Sequence, residues 1–152
     1  MPRVLRAGRR PIIAASPTAS SPLMHAHLRI ARPVSHLVAT ERMYCDAFGL
    51  AVLARFQDHD GFDGVMLGRE GMDYHFEFTH CQTHPVAPTP TPEDLIVFYL
   101  PDGETWKAAC DRATAHGFVR VTALNPYWEA SGQTFEDLDG YRIVLQNAAW
   151  PR

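Results

Sequence analysis

Short runs of alternating apolar and polar residues dominate the ordered-looking part of this chain, with turn-forming residues between them. In AHLRIARP (26–33), Leu28 and Ile30 alternate with His27 and Arg29, the two-residue period of a strand buried on one face, and Pro33 ends the run. Over 36–48 the period becomes helical. Leu37, Tyr44, Ala47 and Phe48 share one stripe, Thr40, Glu41, Arg42 and Asp46 fall elsewhere, and Gly49 supplies a left-handed stop. Strands are then predicted over 50–56, 62–68 and 73–80, separated by a D-H-D-G turn at 58–61 and a turn at Glu70–Met72.

Residues 85–93, PVAPTPTPE, carry more proline than a helix or central strand tolerates and read as an extended linker. The order then restarts. A strand over 94–101 ends in Pro101, a helix over 105–116 buries Trp106, Ala109, Cys110 and Ala113, and Gly117 stops it. Strands over 118–124, 133–137 and 141–147 follow, with NPYW (125–128) and Asp139–Gly140 as turns. Leu28 and Ile96, Pro33 and Pro101, Gly49 and Gly117, and Gly64 and Gly132 are each displaced by 68 residues. The chain is therefore expected to be α+β, built from two tandem βαβββ modules at about 26–80 and 94–149 within one domain, 24–152.

Charge is distributed unevenly. Residues 1–23 hold four arginines and no acid, whereas the rest holds ten Lys/Arg against seventeen Asp/Glu, a balance of −7 that disfavours nucleic acid as a partner. The Arg-, Ser- and Pro-rich segment 1–23 reads as a flexible, dispensable tail. A targeting peptide and a translation start at Met24 are the two accounts of it. Cys45, Cys81 and Cys110 form no C-x-x-C pair and an odd count, which fits reduced thiols and a cytoplasmic location. No run reaches the roughly 20 apolar residues of a membrane span.

The closing segment E-D-L-D-G-Y-R-I-V-L (136–145) is similar to the D-P-D-G-x-x-I/V-x-L hairpin of the vicinal-oxygen-chelate superfamily, which includes glyoxalases, bleomycin-resistance proteins and extradiol dioxygenases. Met43–Tyr44 followed by Gly49–Leu50 resembles that family's F-Y…L-G-L, and FDGVMLG (62–68) stands where it should. The likeness spans about 26–149. It implies sheets that curl into half-barrels around a ligand cavity, helices on the outer face, and pairing of subunits into a homodimer. Strand alternation then places His27, Arg29, His75, Glu77, Leu95, Val97, Tyr99, Arg142, Val144 and Gln146 toward the cavity, and Leu28, Ile30, Phe76 and Phe78 under the helices.

The family's metalloenzymes hold a divalent ion with inward side chains of the first and last strands of each module. Carried over, these positions are His27 (or Arg29, if the turn is gapped differently), Glu77, Leu95 and Val144. Leucine and valine cannot ligate, so no metal or other cofactor is expected; a divalent ion would have to use His27, His75 and Glu77. Glu77 needs a balancing charge if buried, and Arg29 is its expected partner.

An organic anion bound by Arg29 and Arg142, oriented by Tyr99 and Gln146, with Tyr127 and Trp128 overhanging the second half-barrel, is the expected small-molecule ligand. Glu77 and His75 are the candidate acid/base groups. A metal-dependent lyase, isomerase or dioxygenase and a drug-sequestering resistance protein are the competing functions. D-H-D-G lacks the later ligands of a calcium loop, and neither a P-loop nor a nucleophile elbow occurs.

Overall fold

β1 (Leu28–Pro33) leads through α1 (Leu37–Phe48) to β2 (Ala51–His59), β3 (Phe62–Gly68) and β4 (Tyr74–Cys81). The second half repeats this order as β5 (Leu95–Tyr99), α2 (Gly103–Ala115), β6 (Val119–Val121), a short α3 (Tyr127–Ala130), β7 (Gly132–Glu136) and β8 (Arg142–Gln146). The computed structural model describes residues 24–151, so the segment expected to be a basic tail lies outside the described residues. Each module forms its own open four-stranded sheet, ordered β1-β4-β3-β2 and β5-β8-β7-β6. The first and last strands of each module are parallel neighbours, and the remaining pairs are antiparallel.

α1 buries Thr40, Met43, Tyr44 and Ala47, the i, i+3, i+4, i+7 stripe of a core-facing helix, and ends at Gly49 with φ 63°. Thr40 is thus an inward residue, only 1% exposed, rather than one of the outer face. α2 starts at Asp102, whose carboxylate accepts the Thr105 N–H at 2.8 Å. That cap is worth about 1 kcal/mol and places negative charge at the positive end of the helix. Small residues on its inner face (Ala109, Cys110, Ala113) let α2 lie close to its neighbours.

Phe76 and Phe78 of β4 and Ile143 and Leu145 of β8 turn toward the helices and join one continuous core. Tyr44 stands at its centre, with its ring 4.7 Å from Phe78 and 5.2 Å from Phe118 of the other module. Its hydroxyl donates to Asp137 Oδ2 at 2.8 Å, and Arg112 Nε donates to the Ala47 carbonyl at 3.3 Å. The helices therefore cover one face of each sheet, as expected, and also pack on each other. The helical layer is the seam that joins the modules.

Four local expectations are corrected. Leu28, at the start of β1, is 57% exposed rather than packed under a helix of the described residues. NPYW is not a plain turn; Pro126 and the Asn125 carboxamide, which accepts the Tyr127 N–H at 3.0 Å, start the one-turn helix α3. β6 keeps three residues because Phe118 turns into the core and the Ala123 N–H leaves the ladder for the Glu129 carboxylate. The 68-residue displacement holds at the glycines but not on the first strands. Arg29 lies opposite His75 just as Leu95 lies opposite Arg142, so Arg29 and Leu95 are equivalent positions.

Candidate functional site

On β4 the alternation that sends Phe76 and Phe78 into the core sends His75 and Glu77 to the opposite, open face. β1 runs parallel beside it, and its register puts Arg29 across from His75. Arg29 bridges both partners: Nη1 lies 3.0 Å from Glu77 Oε2, and Nε donates to His75 Nε2 at 3.0 Å. The Glu77 side chain is 13% exposed and that of Arg29 48%, so a largely desolvated carboxylate is held by a cation that still reaches solvent. Nη2 meets Met66 Sδ of β3 at 3.9 Å, too weak a contact to consume its N–H groups.

His27 Nε2 and His75 Nδ1 are 2.6 Å apart. Arginine only donates, so His75 Nε2 accepts from Arg29, and a neutral His75 carries its proton on Nδ1 and donates it to His27. Burial, then the nearby Arg29 and His27, hold His75 below the usual histidine range, which keeps this tautomer at pH 7. Glu77, Arg29, His75 and His27 thus form one directed chain, with the Arg29–Glu77 pair expected from the sequence at its head.

With Arg29 equivalent to Leu95 and Glu77 to Val144, the four positions that carry ligands in the superfamily's metalloenzymes are occupied here by a guanidinium, one carboxylate and two alkyl groups. The alternative triad does not fit an ion either. Arg29 lies between His75 and Glu77, His27 and His75 bond to each other, and among the described residues no three His, Cys, Asp or Glu side chains converge as ligands.

The remaining candidates gather on the other sheet. Arg142 is committed to Glu136, its cross-strand neighbour, at 2.9 Å. Tyr99 pairs in register with Gln146, and its ring meets the edge of Trp150 at 5.4 Å. Burial, and then neighbouring Tyr127, raise the Tyr99 phenol. Trp128 packs edge-on against Tyr127 at 4.8 Å. Beneath them, Gln146 Oε1 and Thr134 Oγ1 are buried with no hydrogen-bond partner among the described residues. The sequence reading passed over Thr134, although alternation with buried Phe135 puts it on the face of Val144, its register partner. It also passed over Trp150, which no periodicity places. Among the described residues no hydrogen bond or ion pair links this group to Arg29, Glu77 and His75.

Two family models match in tandem: the YycE-like N-terminal domain over residues 28–79 and the YycE-like C-terminal domain over 93–147. Uncharacterized protein YycE of Bacillus subtilis (strain 168) is 41% identical over 123 residues, covering 81% of this chain and 88% of that protein. The crystal structure of a Bacillus subtilis YycE protein of unknown function superposes with a TM-score of 0.78 at 39% identity, covering 84% of this chain and 93% of that one. The trypanothione-dependent glyoxalase I of Leishmania major shares the fold at a TM-score of 0.63 and 19% identity, over 82% of this chain and 88% of that one. The fosfomycin-resistance protein FosX of Mesorhizobium loti does so at 0.61 and 13%, over 84% and 92%. The chain belongs to the YycE-like family, within the vicinal-oxygen-chelate superfamily of glyoxalases and fosfomycin- and bleomycin-resistance proteins.

Proposed function

We propose that this protein binds a small organic anion on the open face of its first sheet, at Arg29, without a metal. The observation that carries the reading is the anchoring of Arg29 by Glu77 and His75 on two sides, which fixes the guanidinium while leaving Nη2 without an oxygen or nitrogen acceptor among the described residues. A pre-oriented guanidinium recognises carboxylate or phosphate locally, as it must in a domain whose overall charge repels anions. Glu77 and His75 border the ligand and are the groups placed to exchange a proton with it. Tyr99, Gln146 and Tyr127 supply an aromatic and amide wall from the second sheet. A homodimer brings the two kinds of face together: β2 is an open sheet edge, and Leu53, beside Gly68 and His75, is 45% exposed on the same side as Arg29. Three free thiols suit a reducing cytoplasm.

Thermal melts in the presence of carboxylates and phosphates test the reading. An anion at about 100 times its Kd adds roughly 2.7 kcal/mol, a shift of about 5–10 °C for a chain of this size. Arg29→Ala should lose that shift and keep any response to neutral aromatics. Equal shifts in both proteins, or no anion that moves the wild type, would remove Arg29 from the function.

A further inference from the structure

On the opposite side of the sheets, at the seam between the modules, lies a second cavity of about 290 Å³. Phe48, Tyr74, Phe98 and Leu100 give it apolar walls from both modules, and its lining contains two charged groups, Arg69 and Arg112. Both arginines cap the last carbonyls of α1. Arg69 donates to Gly49 O at 3.1 Å and Phe48 O at 3.2 Å, and Arg112 donates through Nε to Ala47 O. Capping accounts for part of each guanidinium. Among the described residues the Nη groups of Arg112 and Nη1 of Arg69 have no hydrogen-bond partner, and neither arginine has a carboxylate within 4.0 Å. Both arginines reach solvent, so their free N–H groups are available to an anion at the mouth of an apolar cavity whose lining contains no acid to compete for them. The Tyr74 hydroxyl makes no hydrogen bond among the described residues and adds a third donor, its phenol raised by burial and lowered by Arg69.

We infer that this seam is a binding site for an amphipathic monocarboxylate, an acyl or aryl acid whose apolar body lies against Phe48 and Phe98 and whose carboxylate is shared by Arg69 and Arg112. The volume stands at the small end of ligand sites, roughly 300–1,000 Å³, and fits a medium-length chain rather than a drug-sized molecule. Because the site joins α1 to α2, its occupant also ties one module to the other. Arg29 faces the other side of the first sheet, so this site is independent of the proposed anion seat there.

Calorimetric titration of the full chain with octanoate, and with 1-octanol as the neutral control, decides the matter. Octanoate should bind with one site per chain and octanol at least tenfold more weakly. Arg112→Gln, which leaves both Arg69 capping bonds in place, should weaken octanoate about ten- to a hundredfold, the value of a charge-assisted hydrogen bond, with little effect on octanol. Met72→Trp, which fills the cavity from the turn before β4, should block both while the circular dichroism spectrum stays that of the wild type. Arg29→Ala should bind octanoate as the wild type does. No octanoate binding, equal binding of octanol, unchanged affinity in both Arg112→Gln and Met72→Trp, or loss of octanoate binding in Arg29→Ala would each overturn the assignment. The last would move the carboxylate to the first sheet's open face.

Discussion

The two modules share a scaffold and differ in what their open faces carry. In register, Phe76 and Phe78 of the first correspond to Ile143 and Leu145 of the second, and all four are buried against the helices. On the reverse face, Arg29, His75 and Glu77 correspond to Leu95, Arg142 and Val144. The helix-side face builds a common core, so exchanges there must conserve apolar volume. The open face does not join that common core, and its two copies differ in chemistry even where their residues are buried. One copy carries a charged and hydrogen-bonded chain, and the other an apolar floor with a hydroxyl and an amide left over. The repeat thus keeps its chemistry where the shared core requires it and diverges on the face turned away from the helices.

If the core is common, the largest losses should come from either module and unfold both. Phe78→Ala should cost about 3–5 kcal/mol and Leu145→Ala about 2–5 kcal/mol. Tyr44 links the two through Phe78, Phe118 and Asp137, so each variant should melt in one transition. Urea curves followed by tryptophan fluorescence (Trp106 packs on the second sheet) and by far-UV circular dichroism should coincide. Two separate transitions would mean two cores.

The seam itself should be sensitive to pH. Asp137 accepts from Tyr44 Oη, from the Asp139 N–H and from the Tyr141 N–H, yet burial outweighs these bonds and raises its carboxyl above the ordinary range. The folded state then binds the proton more tightly than the unfolded one. Its contribution is fully present below the ordinary carboxylate value and is lost as pH rises through the raised one. Asp137→Asn should flatten stability across that interval, measured by denaturation at a series of pH values. Tyr44→Phe should cost about 1–3 kcal/mol by leaving the acid short of a donor. A stability difference between wild type and Asp137→Asn that grows in favour of the wild type as pH rises through the interval would show Asp137 to be favoured as the anion.

Period-two alternation made most of this legible. β3 falls at 62–68 as read, and the sidedness of β4, including the Arg29–Glu77 pair, follows from counting residues along neighbouring strands. What counting could not supply was register across modules. Leu28 and Ile96 share a 68-residue spacing with the glycines, yet the second module takes up two extra residues between its first strand and Gly117, so the true partner of Leu95 is Arg29. An even slip preserves faces, and for that reason it left no trace in the hydrophobic pattern. Nor could sequence show that Arg142 is held by Glu136, that His27 bonds to His75, or that Arg32 stacks 4.4 Å over the Tyr141 ring, since each depends on side-chain reach rather than periodicity.

The divergence of the open faces can be tested by importing the second module's residues into the first. Arg29→Leu alone strands the largely buried Glu77 carboxylate and should cost about 1 kcal/mol, a modest loss because water still screens the half-exposed site. Adding Glu77→Val gives the first sheet the pair that Leu95 and Val144 form in the second, and should restore wild-type stability to within about 0.5 kcal/mol. Additive losses in that double-mutant cycle would mean that the charged pair does not act as a unit.

The smallest effect concerns the second module, where the sign is more informative than the size. Thr134 Oγ1 lies buried beside Val144 with no partner among the described residues, and a desolvated hydroxyl that makes no bond is a net cost to folding. Thr134→Val keeps the branched shape that suits β7 and removes that cost, so it should raise stability by up to about 1 kcal/mol in chemical denaturation. A gain in stability would mean that the hydroxyl does not serve folding. The Gln146 amide oxygen on the adjacent strand, in register with Tyr99, is likewise buried with no partner among the described residues. Should Thr134→Val instead lower stability, the hydroxyl is bonded in solution, and the second sheet is a finished structural face rather than the polar half of a binding site.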